Sequence, residues 1–331
     1  MFHRLAVFTT LLTLVVVVLG AYVRLNHAGL GCPDWPGCYG HLVVPETDHA
    51  IGKVATEFPG QVVEQGKAWK EMIHRYVAGT LGLLVLTLTI LAWRGRATGA
   101  PVKLATFLLG LIIFQALLGM WTVTLLLKPI IVMGHLLGGL TSLACLSWLS
   151  LRTRPNAKIA TDNDRSAFKF LAISALIVVV LQIALGGWTS ANYAALACPD
   201  FPTCQGDMWP ETNFEKAFTI TAESGLNHEG GLLDNISRMT IHVTHRAFAI
   251  VVLLLVGLLA LKLLFKSDSL KGVGFVIFSL LLIQIALGIS NITLQLPLPI
   301  AAAHNGVAAC LLISIVWLIH RLRSTAQVDA G

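Results

Sequence analysis

Charged side chains are sparse in this sequence: 23 Lys and Arg and 17 Asp and Glu make up 12% of 331 residues. That is about half the share of a soluble domain, which excludes an ordinary water-soluble globule. No small-residue cleavage site cleanly follows the first apolar block, Leu5–Leu25. The block is also too long for a signal-peptide core, so it reads as a retained helix. Neither cysteine-bearing loop carries a second clustered pair of ligands, which argues against a zinc-type site or any other such metal centre.

What the sequence has in abundance is apolar residues, 56% of the chain, gathered into blocks. Besides Leu5–Leu25 they run near Met72–Trp93, Leu104–Leu127, Ile130–Leu151, Phe168–Ser190, Met239–Leu264, Gly272–Leu294 and Pro299–His320. Each approaches the ~20 residues that cross a hydrocarbon core. The expectation is an all-α integral membrane protein of eight transmembrane helices.

Basic residues give the orientation. With the N-terminus in the cytoplasm, 14 of the 23 Lys and Arg but only 4 of the 17 acids fall on the cytoplasmic side. The net charge of +6 is thus a topology signal and offers no case for nucleic-acid binding. Both termini are expected in the cytoplasm of a bacterial cell, the chain in its inner membrane, and the cysteine loops outside.

The chain also repeats itself. Gly31–Gly40 reads GCPDWPGCYG and Ala197–Gly206 reads ACPDFPTCQG. Leu19-Gly20-Ala21-Tyr22 matches Leu185-Gly186-Gly187-Trp188 at an offset of 166, and Pro45-Glu46-Thr47 recurs as Pro210-Glu211-Thr212 at 165. His74-Arg75 faces His245-Arg246 at 171; Gln115–Gly119 faces Gln284–Gly288, and His135 faces His304, at 169. Four spans per half is an even number, so both halves enter the membrane in one direction. The reading is two four-helix bundles, 1–155 and 156–331, as parallel repeats about a pseudo-twofold axis along the membrane normal. The boundary lies in the basic stretch Arg152–Arg165. The long outer segments Asn26–Lys70 and Ala191–Arg238 should contain short helices, because structureless loops of that length are uncommon.

Of the eleven histidines, His3, His27, His41, His49, His228 and His320 read as surface or interfacial. His74, His135, His245 and His304 lie on spans two, four, six and eight, near their outer ends. An ionisable residue inside a membrane is a functional-site hypothesis by default. Zinc or copper would want three or four ligands at one point, whereas two histidines from two helices of a bundle suit the axial positions of one haem. Gly79, Gly82, Gly119, Gly134, Gly138 and Gly139 would let a flat macrocycle approach the backbone. Arg75 and Arg246 directly follow two of these histidines and could pair haem propionates or simply snorkel. Arg24, at the outer end of the first span, is a further propionate or pocket candidate.

Glu71 precedes His74 by three residues, on the same helix face. Its counterpart is His242. A carboxylate beside one haem and an imidazole beside the other suggest one site for chemistry and one for electrons; alternatively Glu71 is an interfacial acid stabilising a helix N-terminus. Cys145 and Cys310 read as buried small residues. Cys32 with Cys38, and Cys198 with Cys204, read as two short structural disulfides in an oxidising compartment, or the first pair as a redox relay.

The Glu-x-x-His-Arg run at Glu71–Arg75, the GLGCPDWPGC loop at Gly29–Cys38, the eight spans and the histidines at 135, 245 and 304 together resemble haem A synthase over essentially the whole chain. The resemblance implies conversion of haem O to haem A for cytochrome oxidase. It implies a haem b on His245 and His304, with the substrate haem held by His74 and His135. Glu71 would be catalytic, and the implied partners are the farnesyltransferase that makes haem O, an electron acceptor and membrane lipid. The alternatives are a dihaem b-type electron-transfer protein of quinol-cytochrome type, or a transporter.

Overall fold

The structure is a computed structural model that describes residues 1–154, 162–220 and 225–323, without the side chains of 162–167. The expectations placed on Lys158, Asp162, Asp164, Arg165 and Asp329 fall outside the described residues or side chains. Eight long helices dominate: α1 (Phe2–Leu25), α3 (Gln65–Arg94), α4 (Val102–Thr124), α5 (Pro129–Arg152), α6 (Asp162–Ala191), α8 (Asn235–Lys266), α9 (Lys271–Thr293) and α10 (Leu298–Arg321). All eight are long and apolar enough to span a membrane. Helices are the expected solution there, because lipid offers no partner for an open backbone group. Two short helices occupy the outer segments, α2 (Asp48–Glu57) and α7 (Phe214–Ala217).

Local chemistry sets the ends. Thr47 caps α2, its hydroxyl accepting from the Ala50 amide at 3.3 Å; Asp234 caps α8, accepting from Ser237 at 2.8 Å. Pro129 occupies the first turn of α5, where a missing N–H costs nothing. Arg94, Arg152, Lys266 and Arg321 stand in the last turns of α3, α5, α8 and α10. There they complement the negative end of each helix dipole.

In one set, α1 and α4 each pack against α3 and α5; in the other, α6 and α9 each pack against α8 and α10. The sets meet where α1 touches α10, α5 touches α6, and α5 touches α10. A buried core of Leu140, Leu143, Val179, Leu259, Ile277 and Ile315 crosses from α5 into the second set. The outward faces carry Leu83 at 66%, Leu254 at 67% and Phe275 at 64% exposure. Such surfaces are hydrophobic liabilities in water and ordinary in lipid.

The span limits read from hydropathy are corrected at two places. Helix α3 starts at Gln65 and α8 at Asn235, so His74 and His245 stand well inside their helices, not in the first turn. Each helix continues outward as polar turns that hydropathy alone does not register. Two histidines taken for surface residues are buried: His228 is 3% exposed and His320 is 2% exposed. The His228 amide donates to the Leu126 carbonyl at 3.0 Å, and His320 meets Trp148 edge-on at 5.2 Å.

Candidate haem sites

Four histidine rings lie against four glycines. A Cβ added to Gly20 on α1 would stand 3.1 Å from Cε1 of His74 on α3, and one on Gly119 of α4 would stand 3.4 Å from Cε1 of His135 on α5. In the second set Gly186 of α6 meets His245 of α8 at 3.1 Å, and Gly288 of α9 meets His304 of α10 at 3.2 Å. Each ring therefore enters its bundle over a neighbouring helix that carries no side chain there. All four Nδ1 atoms are shielded from solvent and lack a hydrogen-bond partner. Buried ring nitrogens without partners are costly in a plain packing role, which argues that these imidazoles serve a ligand. Among the described residues there is no group of three or more His, Cys, Asp or Glu that could hold a metal ion.

Beyond these rings the helices clamp the loops that follow α1 and α6. One Glu71 oxygen accepts from the Cys32 amide at 2.9 Å and the other pairs with Arg75 Nη2 at 2.6 Å, the carboxylate being 5% exposed. In the second set His242 Nδ1 accepts from the Cys198 amide at 3.3 Å. The two repeat-related residues thus share one task, holding the amide of the loop's first cysteine; only Glu71 adds negative charge. Arg75 Nη1 donates to the carbonyls of Asp34 (2.9 Å), Pro36 (3.3 Å) and Gly37. Arg246 does the same for Asp200 (3.2 Å), Pro202 (2.5 Å) and Thr203 (3.0 Å). Both guanidiniums are held in place by the loops that follow α1 and α6. Arg24 crosses between the sets, donating to Ser190 O at 2.7 Å and lying 4.1 Å over the Tyr193 ring.

The loops are closed clips. Cys32–Cys38 and Cys198–Cys204 are disulfides with S–S distances of 2.04 and 2.01 Å. Asp34 accepts from the Tyr39 and Gly40 amides at 2.6 and 2.8 Å, and Asp200 from the Gln205 and Gly206 amides at 2.6 and 3.0 Å. The Thr203 hydroxyl, then those amides, hold the Asp200 carboxyl down at about 2. The free cysteines Cys145 and Cys310 are partly buried and unpaired.

Sequence reasoning singled out the four ligating candidates but took the Leu-Gly landmarks merely as marks of a repeat. Gly20, Gly186 and Gly288 are ring seats, a role signalled by their recurrence at the offsets that relate the histidines. Of the wall glycines named from sequence, Gly119 faces a histidine, Gly138 faces the Gln115 amide, and Gly79 has nothing within 4 Å.

The model of a family described as cytochrome oxidase assembly protein (COX15-CtaA) matches residues 3–316. A heme A synthase of Shewanella oneidensis is 48% identical over 324 residues, covering 97% of each chain. A heme A synthase of Bacillus licheniformis is 27% identical, with 98% of this chain and 97% of the relative covered. One of Rhizorhabdus wittichii is 27% identical over 94% of this chain and 91% of its own.

Proposed function

From the premise that this chain belongs to the COX15-CtaA family of cytochrome oxidase assembly proteins, we infer its function and the division of labour between its halves. The protein is a haem A synthase, an oxidoreductase of the membrane that converts a methyl group of haem O to the formyl group of haem A. The observation that carries the site reading is the fourfold histidine-on-glycine seating, two per helix set.

The two sets are read as parallel repeats, 1–155 and 156–331. His27 and Tyr193, which are repeat mates at an offset of 166, stack on each other with centroids 5.6 Å apart. A residue meets its own mate only near the axis that relates them, which supports a pseudo-twofold along the membrane normal. Orientation by basic residues supports cytoplasmic termini and outside cysteine loops in a bacterial inner membrane.

In this reading His245 and His304 hold a haem b, and His74 and His135 hold the substrate haem. The buried, partnerless Nδ1 atoms and the bare glycine seats fit a bis-imidazole haem in each half. When bound, haem b supplies one-electron redox chemistry beside the substrate half. Arg24 places positive charge at the end of α1, where a haem propionate would seek it, whereas the guanidiniums of Arg75 and Arg246 are taken up by loop carbonyls. Converting a methyl to a formyl group with water as the oxygen source releases four electrons and four protons in two successive oxidations, and an electron acceptor must take those electrons. A farnesyltransferase must supply the farnesylated substrate, which lipid-facing helices can receive from the bilayer.

Glu71 distinguishes the substrate half. Its carboxylate, one turn from His74, is positioned to stabilise positive charge developing at the methyl or to take its proton. Pigment extraction tests the assignment. Purified protein should yield haem O or haem A together with haem b, and His245→Ala or His304→Ala should remove the b-type absorbance alone. Haem b as the sole pigment, in a protein that makes no haem A from haem O, would favour the dihaem electron carrier.

A further inference from the structure

One turn inward of the His74–His135 layer, a buried amide stands without a partner. Gln115 on α4 is 8% exposed, and its Nε2 is shielded from solvent with no hydrogen bond. A Cβ added to Gly138 would lie 1.9 Å from that nitrogen, so the amide rests directly on the backbone of α5. Gly138 follows His135 by three residues, on the same helix face. Around the Cβ position of Gly139, Gln115 Oε1 lies at 3.9 Å and Val17 at 4.0 Å. Val17 precedes Gly20, the seat of His74, by three residues. The amide therefore sits inside the first bundle, about 5 Å further into the membrane than both rings.

The second bundle is built differently. The offset of 169 places Gln284 opposite Gln115 and Val307 opposite Gly138. Residue 307 thus carries a side chain where residue 138 carries none. Gln284 Nε2 instead meets His304 Nε2 at 3.2 Å. Gln115 Nε2, against the bare position at Gly138, makes no such contact.

We propose that Gln115 is a specificity residue of the substrate site, hydrogen-bonding the hydroxyl of the farnesyl-bearing arm by which haem O differs from haem B. This rests on the assignment of the substrate to the half that carries His74 and His135. The propionates are the charged edge of the macrocycle and belong at the outer surface, at the end of α1 that carries Arg24. The opposite edge, which bears the hydroxylated arm, then points inward past the iron layer to the depth of Gln115. A hydroxyl both donates and accepts, so it satisfies the amide in either orientation. Haem b has no such hydroxyl.

The test uses full-length protein carrying haem b in its second half, titrated with haem O and with haem B while the absorbance of the newly ligated haem is followed. Wild-type protein should prefer haem O. Gln115→Leu should weaken haem O binding about tenfold and leave haem B binding unchanged. Gly138→Val, which reproduces the second bundle, should act in the same direction. Gln115→Met serves where the leucine variant is poorly folded, with the retained haem b absorbance reporting an intact protein. Equal weakening for both haems would make Gln115 a packing residue, and no weakening for either would remove its role; both results overturn the proposal. The double variant His74→Ala, His135→Ala separates the premise from the inference. Undiminished haem O binding there means that the half assignment has failed, and the proposal with it. Abolished binding there, with Gln115→Leu behaving as wild type, means that only the role of Gln115 has failed.

Discussion

The imidazole of His74 rests on the backbone of Gly20, its Cε1 3.1 Å from the point where a Cβ would stand. Side chains rarely tolerate such proximity, so residue 20 fixes how far the ring of residue 74 can enter the bundle. The same relationship holds between Gly186 and His245 at the same 3.1 Å.

Gly186→Ala and Gly288→Ala should therefore displace the rings of His245 and His304. Their Cβ atoms would stand 3.1 and 3.2 Å from ring carbons, closer than the 3.4 Å between Gly119 and His135. Both variants should bind less haem b, or shift its absorbance and reduction potential, with Gly119→Ala the mildest change on its own side. Unaltered spectra and potentials in Gly186→Ala would show that the seat is dispensable.

Glu71→Gln keeps an oxygen to accept from the Cys32 amide and removes the charge that pairs with Arg75. The loop should stay in place, haem content should stay near normal, and haem A formation should fall by a factor of about 10². Chromatography of haem O, its hydroxylated intermediate and haem A makes the measurement. His242→Gln is the matched control, since His242 holds the corresponding Cys198 amide. Wild-type haem A levels in Glu71→Gln would reduce the carboxylate to a loop anchor.

Replacing both Cys32 and Cys38 by Ser opens a six-residue separation. For so short a loop the entropic loss is about 2 kcal/mol. A lowered thermal midpoint in detergent should result, and the Glu71–Cys32 contact should loosen with it. Peptide mapping without reductant should find two bridges, each within its own loop. If the serine variant keeps its midpoint and its haem content but makes no haem A, the first pair is a redox participant.

The Asp200 carboxyl, held near 2 by Thr203 and by the amides of Gly206 and Gln205, titrates below its unfolded value of about 3.9. A depressed carboxyl contributes its stabilisation above the unfolded pKa and loses it as pH falls through the folded one. The clip around Cys198–Cys204 should thus hold above pH ~4 and loosen toward pH 2. Hydrogen exchange at the Gln205 and Gly206 amides should quicken across that window, and Asp200→Asn should abolish the pH dependence. Exchange in the wild type that follows the intrinsic pH dependence throughout would contradict this.

Much of the architecture was legible because its causes are local or periodic. Twenty apolar residues without charge leave few options but a spanning helix, and the eight blocks read from hydropathy lie on the eight long helices of the described residues. The four histidines could be picked out because an imidazole in lipid is costly, and four at matching positions share one reason. The polar outer turns of α3 and α8 escaped notice because hydropathy measures preference for lipid, not helicity.

What the sequence could not supply is which atoms meet across helices. Glu71 and His242 look like an acid and a base in contrast, yet the fold gives each the amide of its loop's first cysteine to hold, 39 and 44 residues away in the chain. Arg75 and Arg246 read as anion binders, and the fold commits them to loop carbonyls. Gly138 and Val307 are unremarkable residues in two apolar helices. Only the packing of α4 on α5 and of α9 on α10 decides that Gln115 Nε2 makes no hydrogen bond while Gln284 Nε2 meets a histidine. Hydrophobic periodicity specifies which residues face lipid; side-chain contacts between helices depend on rotation, depth and neighbouring volume, and these exist only once the bundle has assembled.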